Sequence, residues 1–106
     1  MKIKIILGFI AIFLVGSFIY SSSIDNVDLK YGDSVNVSSY QALDTSKSSF
    51  VDSAKYNPGN DHLILELNGV FYEYCGVPSS VWSIFRQASS FGSYYNVNIK
   101  NKYSCQ

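Results

Sequence analysis

Asn68-Gly69 sits between two apolar-rich runs, His62 to Leu67 and Val70 to Cys75. No other dipeptide in this chain constrains the fold as strongly. A two-residue hairpin turn needs positive φ at both central positions, and Asn-Gly supplies it at little steric cost. The turn also sets a register that pairs Leu67 with Val70, Leu65 with Tyr72 and Leu63 with Tyr74. Side chains alternate across a strand, so these six share one face. The opposite face carries His62, Ile64, Glu66, Phe71, Glu73 and Cys75, and reads as the polar one. A preceding strand over Ser49 to Tyr56 leads through the turn Asn57-Pro58-Gly59-Asn60. Val77-Pro78 ends the hairpin and opens a helix. Val81, Ile84, Phe85 and Ala88 recur at helical spacing, and Trp82 widens the stripe. Gly92 suits the left-handed position that closes that helix. Ser93 to Tyr103 fits a second short helix or a final strand. The expected class is α+β: a small antiparallel sheet, made of hairpin 62–75 and a preceding strand, packed on one or two short helices behind an N-terminal hydrophobic helix.

The N-terminus bears on the compartment. Lys2 and Lys4 precede an uncharged run from Ile5 to Tyr20. As a helix its roughly 16 residues span about 24 Å. That is short of the roughly 20 residues of a relaxed membrane span and slightly long for a signal-peptide core. Cleavage after Ser17 or after Ser23 lacks the favoured Ala-x-Ala, so anchor and cleaved signal both stay open. Either one exports the remainder of the chain. The organisation expected is a signal peptide or membrane anchor over 1–23, a polar linker over 24–47 and a folded domain over 48–106. The location expected is the inner membrane with the C-terminal domain outside the cytoplasm, or a secreted or periplasmic state after cleavage. In the linker, Asp33 to Tyr40 alternates weakly and offers an edge strand, but the Ser-, Asp- and Asn-rich stretch reads mainly as a tether. Two cysteines in an exported chain suggest a disulfide, Cys75 to Cys105. Closing a loop of about 30 residues contributes roughly 3–4 kcal/mol. With one histidine, the cysteines are too few for a typical zinc site, and no cofactor is expected.

From Ser48 to Tyr103 the order Ser-Ser-Phe, Leu-x-Leu-x-Leu, Asn-Gly, Tyr-x-Tyr-x-x-Val-Pro, a short Trp/Phe helix, Ala-Ser-x-x-Gly-x-Tyr-Tyr-Asn and Ile-Lys-x-x-Tyr resembles the KTSC domain, a family named for the C-terminus of certain lysyl-tRNA synthetases. The resemblance implies a small α+β domain whose molecular function is largely unassigned, with RNA binding suggested by the synthetase context. It places the family's Tyr-x-Tyr at Tyr72 and Tyr74 and its Val-Pro at Val77 and Pro78. The export segment and the two cysteines are departures from the family pattern.

Formal net charge is zero, with eight basic and eight acidic residues, which argues against a dedicated nucleic-acid binder. The candidate binding residues are Tyr72 and Tyr74, as a stacking pair, and Arg86, Lys100 and Lys102, as a basic patch beside Tyr103. Core packing competes for the tyrosines and plain solvation for the charges. His62 facing Glu73 invites an acid–base reading, but no nucleophile elbow or glycine-rich phosphate loop accompanies it. The function expected is a non-catalytic interaction module of a bacterial or phage envelope, with an envelope protein as partner. The alternative is a nucleic-acid-binding module.

Overall fold

The computed structural model describes residues 25–105. The hydrophobic helix expected over 1–23, and with it the choice between anchor and signal, lies outside the described residues. Among the described residues no helix is long and apolar enough to cross a membrane.

The fold is a small α+β arrangement of two antiparallel sheets and two helices. Strands β4 (Val51–Asn57), β5 (His62–Leu67) and β6 (Val70–Tyr74) form its centre. Asn68 and Gly69 have φ of 55° and 76°, and Leu67, Leu65 and Leu63 pair with Val70, Tyr72 and Tyr74. The expected register is the observed one. Asp52 ties the turn to β4 by accepting a 3.0 Å hydrogen bond from the Gly69 amide. A three-residue strand, β3 (Gln41–Leu43), completes the sheet in the order β3-β4-β5-β6.

Two helices cover the leucine face of this sheet. In α1 (Ser79–Gln87) the buried residues are Trp82 and Phe85. Trp82 stacks on Tyr56 with ring centroids 5.2 Å apart, and its indole N–H donates to Gln41 Oε1 at 2.9 Å. That contact rotates the helix so that Ile84, expected in the apolar stripe, is left exposed; at about 100° per residue it stands far round from Trp82. The helix ends at Ala88, whose carbonyl accepts from Lys47 Nζ at 2.8 Å. The ambiguous segment after it is helical: α2 runs from Phe91 to Asn98. Gly92 therefore lies in the first turn of α2 and does not close α1. Ser90 caps α2, its hydroxyl accepting from the Ser93 amide at 3.2 Å, a common N-cap arrangement. Phe85 packs on Trp82, Phe91 and Tyr94, and Ile99 closes the core beneath α2. The buried Tyr56 hydroxyl lies 2.7 Å from the Val77 carbonyl and 3.0 Å from Asp61 Oδ1. Burial pushes its pKa up to about 12, because a phenolate is poorly solvated there.

The described part of the expected polar linker is not a featureless tether. Besides β3 it holds β1 (Asn26–Asp28) and β2 (Ser34–Asn36), paired antiparallel as a separate ribbon. Val27, Leu29 and Val37 bury against Ile64, with Val35, Tyr40 and Phe71 packed around them. The ribbon thus covers the face of the hairpin that the sequence presents as polar. Ile64 and Phe71 give that face enough apolar area to favour a cover.

Candidate functional site

The outer edge of β6 is where the chain exposes a shaped surface. The Phe71 carbonyl accepts from the Lys30 amide at 2.9 Å, and the Cys75 amide donates to the Tyr103 carbonyl at 3.1 Å. Backbone groups alternate in direction along an antiparallel pair, so Glu73, midway between these two, also turns its N–H and C=O outward. Between the incoming strand at Lys30 and the returning chain at Tyr103 lies a groove of about 550 Å³. Tyr31, Tyr72 and Tyr74 line it on one side, with Tyr95 and Tyr103 further along. Lys100 and Lys102 stand at its rim.

Each tyrosine has a distinct setting. Tyr31 is 82% exposed, and its ring centroid is 6.4 Å from that of Tyr72. Lys30 Nζ sits 5.2 Å from the Tyr31 ring and 5.5 Å from the Tyr72 ring, within range of cation–π attraction. Tyr74 and Tyr95 meet hydroxyl to hydroxyl at 2.9 Å. Burial, followed by that hydrogen bond, raises the Tyr74 pKa well above the usual phenol value. Tyr72 and Tyr74 both pack on the main core, as the register implies, and also line the groove. Lys100 and Lys102 join them there. Arg86 does not: it is exposed on α1 and is not part of the groove wall.

Adjoining the groove lies a second cluster, two of whose members, Glu73 and Cys105, also line the groove. His62 Nε2 is 2.7 Å from Glu73 Oε1, and His62 Nδ1 is 2.6 Å from the Tyr40 hydroxyl. A carboxylate only accepts, so Nε2 carries the proton; in the neutral ring the Tyr40 hydroxyl then donates to Nδ1. Burial raises the Tyr40 pKa. Both ring nitrogens are thus engaged, one by a carboxylate and one by a phenol. Cys75 and Cys105 form a disulfide with Cα atoms 4.9 Å apart. Its sulfurs lie beside His62 and Glu73, and one donor atom from each of the four residues falls within 4.8 Å of the others. The alternation of the hairpin already set His62, Glu73 and Cys75 on one face. The approach of Cys105 depends on the Tyr103–Cys75 backbone bond, which nothing in the local sequence announces. Tyr31 likewise reaches the groove, and Lys30 the rings of Tyr31 and Tyr72, only because the ribbon crosses to the edge of β6.

The KTSC domain family profile matches residues 47–103, more than half of the chain. No curated protein matches. Among solved structures, the crystal structure of a KTSC domain protein from Yersinia pestis is similar over 63% of this chain and 94% of that one, at 32% identity and a TM-score of 0.58.

Proposed function

The chain belongs to the KTSC domain family, a family without a catalytic assignment, and on that footing we propose that it acts by binding a partner protein through the groove at the outer edge of β6. The observation that supports this reading is the groove itself. Tyrosine walls, a lysine rim and the outward backbone of Glu73 suit a short extended peptide carrying an apolar anchor and an acidic residue. Tyrosines in such settings dominate many interfaces, since they bury large area with few rotatable bonds. The zero net charge favours a protein over a polyanion. With an N-terminal segment that exports the domain, the partner is an envelope protein; a fusion of alkaline phosphatase after Gln106 tests export, activity meaning that the domain lies outside the cytoplasm.

The direct test is a photo-crosslinking residue in place of Tyr31 in the producing cell. A discrete protein adduct that falls at least tenfold with Tyr72→Ala and persists with Arg86→Ala is the expected result. Adducts indifferent to Tyr72→Ala remove the groove from consideration. The second reading, RNA binding, draws on the paired Tyr31 and Tyr72 rings with Lys30 against both, which could hold a base and a phosphate. Fluorescence anisotropy with labelled oligouridine decides it: saturable binding lost in Tyr72→Ala would replace the protein reading.

A further inference from the structure

We propose that His62, Glu73, Cys75 and Cys105 form a zinc-class metal site when the Cys75–Cys105 disulfide is reduced. The inference does not depend on the groove reading, although Glu73 and Cys105 also line the groove. Two thiolates, one imidazole and one carboxylate make a donor set that zinc accepts in tetrahedral geometry. Metal–ligand bonds of about 2.0–2.3 Å put tetrahedral donors about 3.3–3.8 Å apart. The four donor atoms already lie within 4.8 Å of one another, so the required movements are of the order of 1 Å. The largest is the separation of the two sulfurs, which opening the disulfide permits.

The surroundings favour the same reading. His62 is 9% exposed, and its Nε2 faces the cluster while Nδ1 is held by the Tyr40 hydroxyl. A metal-bound histidine usually engages its other ring nitrogen in just such a bond, which fixes the ring. A hydroxyl both donates and accepts. Tyr40 can therefore donate to Nδ1 while Nε2 holds its proton, and accept from Nδ1–H once a metal occupies Nε2. The backbone bond from the Cys75 amide to the Tyr103 carbonyl keeps Cys105 in place without the disulfide.

The redox step balances with a dithiol as reductant. The dithiol supplies two electrons and two protons, closes to its own disulfide, and leaves Cys75 and Cys105 as thiols. On binding a divalent ion both thiols lose their protons. The Nε2 proton moves to Nδ1 through exchange with water, and Glu73 binds as the carboxylate. The same cluster would thus hold the Cys75–Cys105 cross-link in oxidising surroundings and a metal in reducing ones.

The test uses the full chain in detergent, reduced with a phosphine, and cobalt(II) alone as the first probe. One equivalent should give the intense visible bands of a tetrahedral site together with thiolate charge transfer, and zinc(II) should bleach them. The oxidised chain should bind at least 100-fold more weakly. His62 is the sole histidine, so nitrogen-15 spectra of the imidazole report on it without any mutation. Zinc should switch the protonated nitrogen from Nε2 to Nδ1. His62→Ala and Glu73→Gln should each weaken binding at least tenfold. A reduced chain that takes up no metal overturns the proposal. So does one that binds through its thiolates with an unchanged imidazole spectrum, a result that stands even if the His62 variant does not fold.

Discussion

The two faces of the four-stranded sheet are held in different ways. The helix side buries a continuous aromatic and aliphatic core: Tyr56, Trp82, Phe85, Phe91 and Tyr95 with Leu63, Leu65 and Ile99. The ribbon side buries only Val27, Leu29, Val37 and Ile64, beside the polar chain Tyr40–His62–Glu73. The two helices and strands β4, β5 and β6 fall within the family match, whereas β1, β2 and β3 lie before residue 47 where it begins. The contrast separates the part of the chain that the family match spans from the part that precedes it. The helix side buries the larger core, and the ribbon side supplies the cover of the opposite face.

The largest expected effect falls on the helix side. Phe85→Ala removes a ring with no exposure and should cost about 3–5 kcal/mol, read from the midpoint of urea unfolding. For a domain this size, that approaches the whole of its stability. Replacing both cysteines by serine tests the link between the two faces. It should cost about 3–4 kcal/mol for a closed loop of this length, and an unchanged midpoint would mean that the bridge adds nothing. Alkaline unfolding gives a third measure. The folded-state pKa of Tyr56 is raised to about 12, above the ordinary phenol value, so its contribution is present in full below pH 10. It disappears as pH rises through about 12, at a cost of about 2–3 kcal/mol. Urea midpoints recorded from pH 8 to 12 should fall over that window, and the fall should flatten in Tyr56→Phe.

Ribbon-side changes should cost less. Leu29→Ala should cost about 2 kcal/mol, at the low end for buried leucine, because the satellite cluster is small and can collapse. A loss as large as that of Phe85→Ala would erase the distinction between the faces. Tyr40→Phe should cost about 1 kcal/mol, the worth of one hydrogen bond plus part of an unsatisfied imidazole nitrogen. Thermal unfolding at a fixed pH of 7 resolves both.

The sequence announced the helix side more clearly because its signals are local. Asn68-Gly69 sets the hairpin register by turn chemistry alone, and Val77-Pro78 marks the start of α1. Rotation of α1 was not legible, since it depends on Trp82 meeting Tyr56 across the sheet. The ribbon was hidden for a related reason. Val27, Leu29 and Val37 stand singly among polar residues, and only their meeting at Ile64 makes them a core. The candidate site divides along the same line. Tyr72 and Tyr74 come from the alternation of β6, as does the nearness of His62, Glu73 and Cys75. Tyr31, Lys30 and Tyr103 arrive from opposite ends of the described chain, and no periodicity predicts that both converge on one strand edge.

That convergence determines how the domain would carry mechanical load. The chain entering at Asp25 reaches β6 through the Lys30–Phe71 bond, and the chain leaving at Cys105 is fastened to β6 through Cys75. Tension applied across these two points runs through one strand, and α1 and α2 hang outside the load path as a closed loop. Opening the disulfide would put both helices in series with the pull and release about 100 Å of extra chain at full extension. Single-molecule pulling with and without reductant would read that difference as a change in contour length, and equal lengths in the two conditions would refute it.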